Sequence, residues 1–234
     1  MKDLSIIIPV YNEIKTIKKI IKKIKGLKVR KQIIVVDDGS NDGTRDVLIK
    51  NKNKIDKLIF HKNNLGKGAA IISAKKYIKG KYVAIQDADL EYDPKDLIKI
   101  FKYIKKNDLN IVYGSRVLNK NKFQKTKNFT HFIRIWGNIF LTFVSNVINN
   151  QNLTDAHTCY KVFNSSIFKK INLKEKGFSF CPEVTTKLSN KNFKIHEVSI
   201  SYKGRTYEEG KKISSSDGFD ALYSLIKYKY FMND

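Results

Sequence analysis

The stretch Leu4–Gly26, LSIIIPVYNEIKTIKKIIKKIKG, sets a pattern that the chain then repeats. Its opening, Leu4 to Val10, is almost continuously aliphatic and β-branched, the composition of a strand covered on both faces. After the polar Tyr11-Asn12-Glu13, isoleucines recur at 14, 17, 20, 21 and 24 with lysines between them, and Gly26 follows as a stop. That spacing predicts an amphipathic helix, so the unit reads strand, acid-tipped turn, helix.

The same unit repeats outward along the chain. QIIVVDD reads as a second strand and DGTRDVLIKN as its helix; DKLIFH reads as a third strand and KGAAIISAKKYIKG as a helix. KYVAIQDAD, PKDLIKIFKYIKK and LNIVYGS continue as strand, helix and strand. Alternation of buried strands with helices predicts an α/β fold with an open, mainly parallel twisted sheet flanked by helices. Such sheets gather ligands at the carboxyl ends of their strands. Here those ends carry Tyr11-Asn12-Glu13, Asp37-Asp38, Asp87-Ala88-Asp89 and Gly114-Ser115-Arg116. Folding alone does not call for so many charges at strand tips.

After Arg116 the rhythm changes. A lysine-rich stretch, LNKNKFQKTKNFT, precedes HFIRIWGNIFLTFVSNVINN. In the latter, Arg134, Asn138, Thr142, Ser145 and Asn149 form a narrow polar stripe at steps of three and four, and apolar residues cover the rest. A helix this apolar either packs in a core or lies in a membrane interface. Trp136 close to Arg134, beside a basic segment, favours the interface. Further on, TCYKVFN reads as a strand, CPEVTTKLSNK as a helix and FKIHEVSISY as a strand. DGFDALYSLIKYKYF reads as a closing helix with Phe219, Leu222, Tyr223, Leu225 and Ile226 inward. No repeat or clear linker appears, so a single domain over 1–234 is expected, with a ligand-binding half at 1–116 and a second half at 117–234.

Composition bounds the partners. The 234 residues carry 46 Lys+Arg against 22 Asp+Glu, a formal charge of +24. Such a field attracts anions of every kind, whether nucleic acid, acidic lipid or phosphorylated small molecules. The lysines are spread over nearly every helix, and RRM, KH and zinc-finger patterns are absent, so nucleic acid is not an expected partner. The two cysteines, Cys159 and Cys181, lack zinc or disulfide spacing, which fits a reducing compartment. No leader is expected at Met1-Lys2-Asp3, and no run reaches the roughly 18 apolar residues of a spanning helix.

The strongest chemical signal is VAIQDADLEYDP, in which an apolar strand delivers Asp87 and Asp89 just before a turn. Two carboxylates there repel one another and lose hydration unless a cation joins them. A hard divalent ion that also takes substrate phosphates answers that need. In IIVVDDGSNDGT, Asp37 and Asp38 end a strand where Gly39 lets the chain turn tightly, and the acids suit ribose hydroxyls or base N–H groups. In NNLGKGAA, Gly66, Lys67 and Gly68 open a helix whose N–H groups can approach an anion. The P-loop spacing is absent.

Taken in order and spacing, SIIIPVYNE, IIVVDDGSNDGT, NLGKGAA, QDADLEYDP and YGSR resemble the family 2 inverting glycosyltransferases of the GT-A fold. TDAHTCYKVF, GFSFCPEVTTKL and EVSISYKGRTYEEGKKI resemble the dolichyl- or polyprenyl-phosphate mannose (or glucose) synthase branch. The resemblance covers nearly the whole chain. It implies transfer of a hexosyl group from a GDP- or UDP-sugar to a polyprenyl (dolichyl or undecaprenyl) phosphate. It places the enzyme in the cytoplasm, peripheral at the inner face of the membrane, with or without a separate membrane subunit. Pro9, Tyr11, Glu13, Asp38 and Gly39 are expected in the donor pocket with Lys67, and Asp87 beside ribose and sugar. Asp89 is expected to hold Mg²⁺ or Mn²⁺ through the donor diphosphate, helped by Glu91, where close relatives often carry Gln. Arg116, Arg134, Arg205 and Lys211 are expected around the phosphates. Asp155 and Glu183 match acidic positions of the branch and become base candidates if the acceptor is a sugar hydroxyl, the second reading of the acceptor. A phosphate acceptor needs no strong base, so His131 and His157 read as surface or packing residues.

Overall fold

The structure, a computed structural model, describes residues 2–118, 129–205 and 216–232, with the side chains of 129–135 and 216–217 outside that description. The first half is laid down as β1 (Leu4–Val10), α1 (Ile17–Lys25), β2 (Lys31–Asp37), α2 (Thr44–Lys50), β3 (Lys57–Phe60), α3 (Lys67–Ala74), β4 (Tyr82–Ile85), α4 (Pro94–Lys106) and β5 (Ile111–Ser115). The second half adds α5 (Phe129–Asn149), β6 (Lys161–Asn164), α6 (Ser165–Lys170), α7 (Phe180–Asn190), β7 (His196–Ser199) and α8 (Ser216–Ile226), which runs into a π-helical turn, Lys227–Phe231.

The seven strands form one sheet in the order β3-β2-β1-β4-β6-β5-β7. β6 lies antiparallel to β4 and β5, and every other pairing is parallel. The mainly parallel sheet expected from the alternating pattern is present. Register brings the strand tips level. Val10 pairs with Asp37 and Asp37 with Phe60, while β4 ends opposite Ile7, so Gln86 to Asp89 run on beside the end of β1. Acid-bearing loops from three neighbouring strands therefore open on one edge. The strand β6, from the second half, lies between β4 and β5 of the first.

Local signals placed the best-defined helices. In α1 the residues Ile17, Ile20, Ile21 and Ile24 are fully buried, each worth roughly 2 kcal/mol of burial before the entropy of ordering is set against it. Ile14, at the same period, lies before the helix and is exposed. α4 begins where Asp93 accepts a hydrogen bond from the Lys95 amide and Pro94 takes the first helical position. α6 was not expected; the six-residue helix starts where the Asn164 side chain accepts the Ser166 amide.

Two helices depart from simple inside-out patterning. In α5 the polar stripe faces the protein: Thr142, Ser145 and Asn149 are buried, while Trp136, Phe140, Phe143 and Val147 are 57–67% exposed. α8 packs against α5 and α7. It buries Ala221, Ser224 and Leu225 and turns Phe219, Tyr223 and Ile226 outward. The expectation that those three point inward is thus corrected. The reason is the helical period: the face that carries Ala221, Ser224 and Leu225 meets α5 and α7, which leaves Phe219, Tyr223 and Ile226 on the opposite side. With Tyr230 and Phe231 also exposed, α5 and α8 present large apolar side chains to the outside. Among the described residues, no helix is long and apolar enough to cross a membrane.

Candidate active site

The tips of β1 and β2 are laced together by short polar bonds. The Asn12 amide donates to Ser40 Oγ, the Asn41 amide to Asn12 Oδ1 and the Glu13 amide to Thr44 Oγ1. Gly39 has φ +77°, and a Cβ there would strike the Asn63 backbone at 2.5 Å, so only glycine lets the 61–66 loop close over this turn. Asp38 binds that loop. Its Oδ1 meets His61 Nδ1 at 2.6 Å and accepts the Leu65 amide at 3.0 Å, and its Oδ2 accepts the Gly66 amide at 2.7 Å. Asp37 is fully buried and pairs with Arg45 at 2.9 Å. Both acids therefore fix the loops at this edge. Pro9 and Glu13 are buried, and Tyr11 is half-buried.

The glycine-rich start of α3 is occupied by protein. The Gly66 amide serves Asp38, the Ala69 amide donates to the Lys176 carbonyl at 3.0 Å, and the 175–176 backbone lies where Cβ atoms at Gly66 and Gly68 would sit. The glycines serve close backbone packing, which corrects the expectation of an open anion cradle. Lys67 reaches sideways instead, with Nζ 2.6 Å from Asp87 and 2.8 Å from Cys159 Sγ. Burial, the largest single influence, disfavours the lysine charge, but Asp87 together with the neighbouring Cys159 and Cys181 holds the Lys67 pKa well above the ordinary value. Burial pushes the Cys159 thiol up. Because Gly66 and Lys67 are consecutive, Asp38 and Asp87 are bridged by two adjoining residues of one loop.

Asp89 lies at the centre of a second cluster. Burial first, then the neighbouring Asp87 and Glu91, raise its pKa to about 7. Arg205 meets it: Nη2 is 3.2 Å from Asp89 Oδ2 and 3.0 Å from Glu13 Oε1, and Nη1 is 3.2 Å from Glu13 Oε2. Glu91 is turned toward the chain that follows β7. Its Oε1 accepts the Arg205 amide at 2.6 Å and its Oε2 accepts Tyr202 Oη at 2.9 Å. Glu91 thus holds protein donors with both oxygens.

Arg116, at the tip of β5, is held in a fork. Nε and Nη2 lie 2.6 and 2.7 Å from the two oxygens of Asp155, and the guanidinium stacks 5.2 Å from the Tyr202 ring centroid. Burial raises the Asp155 carboxyl, but the Arg116 charge and its hydrogen bonds outweigh that and hold it below the usual carboxylate value. Asn138 of α5 touches both partners, and Glu197 of β7 fixes the Thr154 and Asp155 amides at 2.7 and 3.0 Å. Asp155 is therefore a positioning residue for Arg116. Glu183 is fully buried, accepts the Lys174 and Glu175 amides at 2.7 and 2.8 Å and pairs with Lys187. It braces a loop, and the base role considered for both acids has no free carboxylate to rest on. His157 is depressed to about 4 by burial and by Lys161. Arg134 lies on α5 with its side chain outside the described residues, and Lys211 lies outside them altogether.

The donor set fits a divalent ion shared with a ligand. Oxygen ligands only, a buried excess of carboxylates and the raised Asp89 are what Mg²⁺ or Mn²⁺ would relieve. Among the described residues no group of three or more His, Cys, Asp or Glu is arranged to hold a metal unaided. Phosphate oxygens would have to complete the shell.

Sequence reasoning missed His61, Cys159, Tyr202 and Glu197. Cys159, Tyr202 and Glu197 stand within the quoted stretches TDAHTCYKVF and EVSISYKGRTYEEGKKI and His61 ends a strand, but their partners, Lys67, Glu91, the Thr154 and Asp155 amides and Asp38 respectively, are distant in sequence.

In this sheet the acids lie level on one edge and a diacid follows β4. The family description "Glycosyl transferase family 2" matches residues 5–172; the chain belongs to that family and is a glycosyltransferase. It is 29% identical, over 96% of its length and 95% of the relative's, to a UDP-N-acetylglucosamine–dolichyl-phosphate N-acetylglucosaminyltransferase of Methanococcus voltae. It is 28% identical, over 97% of its length and 73% of the relative's, to a dolichyl-phosphate beta-glucosyltransferase of Trichomonas vaginalis. Its fold is similar, with TM-score 0.68 and 15% identity, to glucosyl-3-phosphoglycerate synthase of Mycobacterium tuberculosis solved with Mn²⁺, UDP and glucosyl-3-phosphoglycerate, covering 97% of this chain and 79% of that one.

Proposed function

We propose that this glycosyltransferase moves a hexosyl group, mannose or glucose, from a GDP- or UDP-sugar to a polyprenyl phosphate at a membrane surface, with inversion. One observation supports the acceptor: α5 joins the edge that carries Arg116 to an apolar surface. Asn138 touches Arg116 and Asp155, while Phe140 and Phe143 on the same helix are 59% and 63% exposed. An acceptor with a charged head and a hydrocarbon tail needs both within one helix's reach. The two dolichyl-phosphate relatives support the same class of acceptor.

In this reading the acceptor phosphate, with a second pKa near ~6, is largely a dianion at neutral pH and needs no proton removed. One of its oxygens bonds to the anomeric carbon as the bond from that carbon to the diphosphate breaks. The electron pair leaves on the nucleoside diphosphate, and approach from the opposite face inverts the centre. The residues have to contain charge: two phosphate-bearing substrates repel, and Arg116 and Arg205 offset that repulsion from fixed positions. Asp155 keeps Arg116 in place, and Asp87, anchored by Lys67, faces the sugar. Asp89 is the residue that would hold Mg²⁺ or Mn²⁺, which supplies Lewis-acid stabilisation of the leaving diphosphate.

The test is transfer from radiolabelled GDP-mannose, UDP-glucose and UDP-N-acetylglucosamine to membrane lipid with Mn²⁺ or Mg²⁺. Hexose label from one of the first two in an organic-extractable, mild-acid-labile product is expected. Label only in a water-soluble glycan would overturn the lipid-phosphate acceptor, and label only from the N-acetylated donor would overturn the hexose assignment.

A further inference from the structure

The three carboxylates at the tips of β1 and β4 and in the turn after β4 do not merely neighbour Arg205; they enclose it. Glu13 takes its guanidinium with both oxygens, and Asp89 takes the same Nη2 at 3.2 Å. Glu91 holds the Arg205 amide at 2.6 Å and Tyr202 Oη at 2.9 Å, and the Glu91 carbonyl accepts the Lys203 amide at 2.8 Å. Tyr202 also pairs with Tyr92 in an isolated bridge, their rings 5.1 Å apart. The backbone of 202–205 is thus fastened at several points, while the Arg205 side chain reaches into the acid cluster by flexible bonds. One cation already sits on Asp89 Oδ2, while Asp89 Oδ1 accepts the Glu91 amide at 3.0 Å.

We propose that Arg205 is the resident counter-cation of this cleft, that it competes with the divalent ion for Asp89, and that Glu91 is its tether and not a metal ligand. This rests on the metal-assisted reading above and adds the regulation of that site. Without nucleotide, the guanidinium neutralises Glu13 and Asp89 and keeps metal affinity low. When a diphosphate-bearing donor brings further oxygen ligands, the ion takes Asp89. The side chain then swings off while its backbone stays pinned by Glu91, so the released cation remains beside the phosphates. Metal binding and the presentation of an arginine to substrate become one exchange. A uniform-affinity metal site would do neither.

The experiment is Mn²⁺ binding by calorimetry and by the electron paramagnetic resonance signal of free Mn²⁺, with and without GDP or UDP, in the full chain. Arg205→Ala is expected to tighten nucleotide-free Mn²⁺ binding about tenfold, the order of one charge-assisted contact removed from competition. Arg205→Gln, which keeps hydrogen bonding and loses the charge, is expected to follow it and serves if the alanine variant is unstable. Glu91→Ala in the Arg205→Ala background, which removes the side-chain oxygens altogether, is expected to leave Mn²⁺ affinity within about twofold, since a ligand oxygen lost would cost roughly tenfold or more. Unchanged or weaker Mn²⁺ binding in both Arg205 variants overturns the competition. A tenfold loss in the Glu91→Ala double variant overturns the tether. If the wild type binds no Mn²⁺ even with either nucleotide, the metal-assisted reading itself falls, an outcome separate from the other two.

Discussion

Asp155 and Arg116 illustrate how a charged side chain becomes useful by being immobilised. The carboxylate is fully buried and spends its oxygens on the Arg116 fork, the Arg116 amide and Asn138. Removing it leaves a guanidinium shielded from water with no counter-charge, which is costlier than never having buried the pair. Asp155→Ala is therefore expected to lower unfolding stability by about 3 kcal/mol in urea denaturation and to abolish transfer. Replacing both partners, Arg116→Met with Asp155→Leu, should recover most of the stability and none of the activity. A double variant no more stable than Asp155→Ala would mean that the pair itself, and not the orphaned charge, sets the cost. Asp38 works on the same logic, spending three contacts on His61, Leu65 and Gly66, so its identity shapes the 61–66 loop.

At the scale of elements, α5 and α8 are the pair whose orientation carries consequence. The polar stripe that would normally mark a solvent face is the buried one. Asn149 bonds to Ser145 and Thr186, the Ala156 amide donates to Thr142, and Asn146 is exchanged with Leu153 in both directions. These bonds satisfy groups that would be expensive to bury alone, with Asn149 Oδ1 left unpaired, and the aromatic face turns outward. Large apolar side chains of both helices, among them Phe140, Phe143, Phe219 and Tyr223, are exposed on this pair. Phe143→Asp with Phe219→Asp is expected to abolish co-sedimentation with liposomes while shifting the melting temperature by no more than about 2 °C, because neither ring is packed. Retained sedimentation would show that this face does not meet the bilayer, and a large loss of stability would show that it is covered within the protein.

For the molecule as a whole, the charge of +24 acts over distance rather than at one contact. It draws the protein toward anionic surfaces, whereas the apolar face acts only on touching. The two contributions separate by salt. Binding to anionic vesicles should fall steeply as salt rises from 0.1 M to 1 M, where the screening length shrinks from about 10 Å to about 3 Å. Binding to zwitterionic vesicles should hold or strengthen. Equal loss on both would mean that charge alone recruits the protein.

Much of this was legible in the chain itself. Leu4–Val10, the isoleucine period of α1 and the Asp93-Pro94 start of α4 gave their elements, because buried strands, helix faces and caps are decided by residues within a few positions of one another. The acids at the strand tips were readable for the same reason, since a parallel sheet carries successive strand ends to one edge. What those acids do was not readable. That Asp38 grips a loop, that Lys67 turns to Asp87 and Cys159, that Glu91 ties down the chain beyond β7 and that α5 faces its polar stripe inward all depend on partners brought together from far along the sequence. A pattern states which side chains lie on one face; only packing states what that face meets, and with it whether a charge is a ligand, a brace or a tether.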